Sequence, residues 1–193
     1  ASVVAETVQK ILDVTITWKI EAAGKIDADI AVTKDDEFPD LPRFGVRMFL
    51  DKKLSAVRYF GMGPQESYCD KHQAASHGLY QANVDDLHED YIRPQENGSH
   101  YDCEYVELNN SRYGIVVSAE NAFSFNASYY TQEELEEKTH NYELTESDSV
   151  VFCVDYALNG IGSNSCGPVV LEQYRFDDVL FRFQFTLIPY VKG

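Results

Sequence analysis

No Cys-x-x-Cys pair occurs in this chain. Its 4 cysteines, Cys69, Cys103, Cys153 and Cys166, are scattered along 193 residues, which argues against a structural zinc site. A chain of this size does not need disulfides to fold, so free thiols in a reducing compartment, and hence a cytoplasmic location, are expected. The His-Glu-x-x-His pattern is missing as well, and no metal ligand or cofactor is assigned. Basic runs are absent. With 32 acidic against 16 basic residues the formal charge is -16, which repels phosphate backbones and anionic lipid, so neither nucleic acid nor a membrane is an expected partner. There is no apolar run long enough to cross a bilayer and no signal-peptide pattern. Methionine and tryptophan are scarce, at 2 and 1, whereas 13 Tyr and 11 Phe favour half-buried pleated surfaces over helix packing.

Alternation of period two is the dominant pattern. Val14, Ile16, Trp18 and Ile20 alternate with polar residues, and after Ala22-Ala23-Gly24-Lys25 the pattern resumes at Ile26, Ala28, Ile30 and Val32, predicting a hairpin with Trp18 on its core face. Phe44 to Leu50, a strand ending at Tyr59-Phe60, Tyr101 to Leu108, Tyr113 to Ser118, Phe123 to Tyr129 and Val150 to Tyr156 read likewise. The clearest strand is the last, with Phe181, Phe183, Phe185 and Leu187 on one face. Between Ser67 and Ile92 the periodicity fades, which predicts a long surface loop. Thr131 followed by Glu134 predicts a capping box opening one short helix that runs to about Lys138. Residues 1–193 thus read as one all-β, antiparallel sandwich domain with one short helix.

Two segments interrupt this pattern with site-like composition: Gly61-Met62-Gly63-Pro64-Gln65-Glu66-Ser67-Tyr68 and Arg93-Pro94-Gln95-Glu96-Asn97-Gly98. Each sets proline, amide and carboxylate beside glycine, a composition of loops that carry sites. Glu66 and Glu96 would suit retaining glycoside hydrolysis only if held about 5–5.5 Å apart, one protonated and one ionised. A third loop, Asn159 to Pro168, is rich in small residues.

Taken in order, Leu41-Pro42-Arg43-Phe44-Gly45, the two segments above, and Gly160-Ile161-Gly162 leading to Ser165-Cys166-Gly167-Pro168 resemble the C-terminal domain, or small chain, of bacterial β-galactosidases of glycoside hydrolase family two. The resemblance covers nearly the whole chain. It implies a galactose-mutarotase-like supersandwich, truncated at its N-terminal strands and cut from a longer protein, with an unpaired sheet edge as a consequence. It also implies docking against a catalytic barrel that carries both reactive carboxylates, in an oligomeric parent enzyme acting on terminal β-galactosides such as lactose. No residue of this chain is then catalytic. Gly63, Pro64, Gln65, Glu66, Pro94, Glu96, Asn97 and Gly98 become loop-fixing residues, with Glu66 and Glu96 accepting backbone N–H groups. Asn164, Ser165 and Cys166 become the substrate-binding candidates, with Asn164 and Ser165 either bonding a sugar hydroxyl or holding a glycine-rich turn. Cys166 stands where relatives place a tryptophan, so the flat stacking surface is lost and a small, soft contact replaces it. Two other readings stay open: a stand-alone sugar epimerase of mutarotase type, using a histidine with a carboxylate, and an independent carbohydrate-binding module.

Overall fold

The computed structural model describes residues 2–4, for the backbone alone, 10–161 and 169–193. Among them are ten strands and one α-helix: β1 (Ser2–Val4), β2 (Lys10–Ile20), β3 (Ile26–Lys34), β4 (Arg43–Asp51), β5 (Ala56–Gly63), β6 (Ser76–Asn83), β7 (Ser99–Asn109), β8 (Tyr113–Ser128), α1 (Gln132–Glu137), β9 (Ser149–Leu158) and β10 (Leu180–Val191). All pairings are antiparallel. The hydrogen-bonded order is β1-β2-β3-β10-β8-β7-β5-β6, and β4-β9 joins through β8.

β8 makes this arrangement possible. Its first part, Tyr113 to Ser118, lies between β10 and β7, while Ser124 to Ser128 pairs with β9. One continuous strand replaces the two strands predicted, because the residues between the halves stay extended while the pairing partner changes. The register on β7 shifts on either side of Cys103, the mark of bulged, strongly twisted strands. As a result the β9-β4 arm lies over the β3-β10 face. Phe44 meets Phe181 edge-on at 5.0 Å, and Tyr156 stacks on Phe181 at 4.7 Å. The buried residues Ile30, Val32, Phe152, Val154, Phe183 and Phe185 fill the interior. Each such large side chain contributes about 1.5–3 kcal/mol by leaving water.

The predicted hairpin is β2-β3, in register from Ile20–Ile26 to Leu12–Lys34, and Gly24 closes its turn at φ 89°. The left-handed value there suits glycine, which has no Cβ to clash. Trp18 is a correction: it is 47% exposed, as are Ile16 (45%) and Ile20 (71%), because no second layer covers this part of β2 among the described residues. The edge is also not bare throughout, since β1 pairs with Lys10–Asp13.

The predicted loop between Ser67 and Ile92 contains β6, paired along its length with β5, followed by a 3-10 turn at Val84–Leu87. β6 is an edge strand that exposes Leu79 and Gln81, so it needs no strict apolar face. α1 is capped by Thr131, whose Oγ1 accepts the Glu134 N–H at 3.1 Å. Only half of the capping box forms, because the Glu134 carboxylate accepts the Thr145 N–H at 2.8 Å instead.

Candidate functional site

The motif segments converge at one end of the sandwich. β5 runs further than its apolar pattern suggests and includes Gly61, Met62 and Gly63. Gly61 serves close approach here: a Cβ would collide with Cys103 on the adjacent β7. A cis peptide joins Gly63 to Pro64. Beyond it, fully buried Ser67 ties the turn to its neighbours. Its N–H donates to Ser99 O at 2.7 Å, and its Oγ donates to Met62 O at 3.2 Å and accepts the Tyr101 N–H at 2.9 Å.

Glu66 is the hub of the first cluster. Its carboxylate accepts the Gly98 N–H at 2.8 Å and also bonds the Lys71 ammonium and the Tyr91 hydroxyl. Burial works to raise its pKa, yet these donors outweigh burial and hold it below the ordinary glutamate value. Gly98 adopts φ 70°, and a Cβ there would strike the Leu87 carbonyl, so the position is closed to other side chains. Asn97 braces the same loop, accepting from Glu89 N–H at 3.0 Å and donating to Gln95 O at 2.9 Å.

A second cluster centres on Arg43, the residue after Pro42. Its Nε and Nη2 donate to the two oxygens of Asp155 at 2.8 and 2.6 Å, and Nη1 reaches both oxygens of Glu96 at 3.3 Å. Burial disfavours the guanidinium charge, but the Asp155 bonds and the Glu96 charge more than offset it, so the group stays charged. Glu96 therefore bonds a side-chain cation and not the backbone N–H groups expected from the sequence. Burial holds its carboxyl above the ordinary glutamate value despite Arg43.

Lowered Glu66 beside raised Glu96 has the electrostatic look of an acid and base pair. Their openings differ, however. Glu66 borders a cleft lined by Lys71, His72, Gln73 and Tyr91, whereas Glu96 borders another lined by Pro94, Gln95, Gln132 and Leu135. No shared sugar-sized space presents both among the described residues, and both carboxylates are already engaged by cations.

Asn164, Ser165 and Cys166 lie outside the described residues. The segments on either side of them are tightly held. Asn159 N–H donates to Pro42 O at 3.0 Å, Gly160 N–H to Tyr174 O at 2.8 Å and Ile161 N–H to Asp70 Oδ1 at 3.0 Å. Asn159 Oδ1 accepts the Phe176 N–H at 3.0 Å. Thus Pro42, Asp70 and the 3-10 turn Glu172–Tyr174 fix the approach to the third motif loop.

Sequence reasoning missed Asp155, Lys71, Tyr91 and Asp70. A signal did exist for Asp155: it ends the nearly unbroken apolar run from Val150 to Val154, where both faces of a strand are buried and a charge must be paired. Lys71, Tyr91 and Asp70 carried none, since they lie in the stretch where strand periodicity fades.

Residues 1–187 match the family described as beta galactosidase small chain. The chain is 50% identical over 179 residues to a protein named beta-galactosidase from Actinobacillus pleuropneumoniae, a match covering 93% of this chain and 17% of that relative. A beta-galactosidase of Staphylococcus xylosus is 38% identical over 96% of the chain and 19% of its own length, and one of Kluyveromyces lactis is 32% identical over 86% and 16%. The chain thus spans less than a fifth of each of these relatives. With nearly every residue inside the family match, the chain belongs to the β-galactosidase small-chain family.

Proposed function

We propose that this chain is the C-terminal domain of a β-galactosidase, in which it forms one wall of the sugar site and supports assembly with a catalytic barrel carried elsewhere in the parent protein. The whole enzyme hydrolyses terminal non-reducing β-D-galactosides such as lactose, acts in the cytoplasm and is oligomeric. The observation that carries this reading is the small-chain match over residues 1–187, combined with relatives named beta-galactosidase that are more than five times longer.

The geometry of the carboxylates supports a division of labour. A retaining glycosidase needs an acid and a nucleophile facing one anomeric carbon. Glu66 is held by Lys71, Tyr91 and the Gly98 N–H, and Glu96 by Arg43, so both act as braces for the loops that bear Gln65, Pro94 and Asn97. The catalytic carboxylates belong to the barrel. Asn164, Ser165 and Cys166 belong to the sugar wall, on a loop whose approach is set by Asp70 and Pro42.

Release of nitrophenol from a nitrophenyl β-galactoside tests the reading. The purified chain gives no turnover above buffer, and adding the remaining polypeptide of the parent restores hydrolysis. Turnover by the chain alone, or a reconstituted parent that hydrolyses other glycosides and spares galactosides, overturns it.

A further inference from the structure

A cavity of about 440 Å³ opens between the bend of β8, the end of β9 and the segment Gln173–Phe176. That is within the size range of small-ligand sites, roughly 300–1,000 Å³. Tyr101, Asp102, Asn121, Tyr156, Gln173 and Tyr174 line it, and buried Phe176 forms part of its floor. The side chains of Asp102, Asn121 and Gln173 and the hydroxyls of Tyr101 and Tyr174 make no hydrogen bond among the described residues. Donors and acceptors therefore converge on an aromatic-walled space with their bonding capacity unspent.

Asp102 has a second distinction. It is the non-glycine residue with positive φ among those described, at 55°, a backbone region that favours glycine. Its carbonyl is held by His77 Nε2 at 3.1 Å, which leaves the carboxylate to the cavity.

The charges on the lining select the kind of ligand. Arg182 is paired with Asp29, and Arg175, whose Nε donates to Val170 O at 3.0 Å, keeps its charge on the lining. Against that one cation stand Asp102 and Asp178, the latter accepting the Tyr156 hydroxyl at 3.4 Å, so the lining is acidic on balance, which disfavours an anion. A neutral ring with many hydroxyls fits both features: its C–H faces pack on tyrosine rings, and its hydroxyls donate to a carboxylate and exchange bonds with amides.

We propose that this cavity binds a neutral saccharide, with Asp102 accepting from its hydroxyls, Asn121 and Gln173 bonding others, and Tyr101 and Tyr174 packing against the ring. The argument uses the lining chemistry alone and stands apart from the β-galactosidase reading. Titration of the isotope-labelled chain with lactose, followed by amide NMR, tests it. Saturable shifts appear near Asp102, Asn121 and Gln173–Phe176, with a dissociation constant on the order of millimolar. Asp102→Gly suits the left-handed backbone and so keeps or raises the melting temperature, yet weakens binding tenfold or more. Asn121→Ala and Gln173→Ala, both at exposed positions, weaken it in the same direction. No saturable shifts at about 0.1 M lactose, or unchanged affinity in Asp102→Gly, overturns the proposal.

Discussion

Phe181, Phe183 and Phe185 on β10 meet Phe44, Tyr156, Phe176 and Trp18 at ring separations of 4.7–6.3 Å, with no hydrogen bond needed among the phenylalanines. At the motif end of the sandwich the contacts are of the other kind: Arg43 to Asp155 and Glu96, and Glu66 to Lys71, Tyr91 and Gly98. The difference follows from the backbone. In the layers, ladders satisfy the peptide groups and side chains have only volume to fill. Around Glu66 the loops leave the ladder and side chains must supply donors and acceptors themselves, while Arg43 and Asp155, within β4 and β9, pair because a buried charge needs a partner; both kinds of contact are directional and singular.

This contrast is broken most forcefully at Arg43. Arg43→Met leaves Asp155, 2% exposed at its side chain, as an uncompensated buried charge, which costs about 3–5 kcal/mol. Phe183→Leu keeps an apolar group of similar reach and costs about 1.5 kcal/mol or less. The double variant Arg43→Met with Asp155→Val removes the bidentate pair and recovers part of the Arg43→Met loss, the rest staying with Glu96, which still lacks its cation. Urea unfolding of the three variants checks the order, and a single Arg43 variant no less stable than Phe183→Leu would show that the junction is not held by this pair.

His100 sits where the two regions touch, and it sharpens the comparison through pH. Its Nδ1 faces Met62 O at 3.2 Å, while its ring stacks on Phe125 at 5.1 Å and lies 4.5 Å from Tyr59. Burial pushes its pKa down to about 4, against an upward pull from the Met62 bond and Glu66. The folded chain therefore stays neutral at His100 while the unfolded chain takes up a proton below about 6.5. Stability falls as pH drops through the window from about 6.5 to 4, by about 3 kcal/mol in total, and this contribution levels off below. In His100→Leu that part of the pH slope disappears, which unfolding at pH 7, 6 and 5 measures. An unchanged slope would place the titration elsewhere.

Much of the layered part was legible because its side-chain signal is periodic. The four apolar positions from Phe181 to Leu187 name the core face of β10 outright, and Thr131 names the helix start. β6 was hidden because Ser76, His77, Gln81 and Asn83 are free to be polar on an edge. The junction was only half legible. Its glycines, prolines and glutamates stand out locally, but Arg43 and Asp155 are 112 residues apart and neither announces its partner. Gly61 looked like a turn former and is instead a spacer between strands, a role fixed by Cys103 across the sheet.

The smallest effect on folding is expected at Trp18, which has the composition of the layers and the exposure of a surface. Its ring touches Phe185 edge-on at 6.3 Å, but with 47% of the residue exposed it lacks the enclosure that makes Phe183 costly to truncate. Trp18→Thr keeps the strand preference of the position and costs about 1 kcal/mol, against about 3–5 for Phe183→Ala. The larger consequence concerns association. Ile16, Trp18 and Ile20 project from a strand whose outer edge, among the described residues, is paired by β1 at Lys10–Asp13 alone, and an apolar edge of that kind recruits other strands. Sedimentation velocity on the isolated chain therefore shows less self-association for Trp18→Thr with Ile20→Lys than for the original sequence. Equal association would mean that the net charge of -16 already keeps these edges apart, and that exposure on β2 carries no cost in solution.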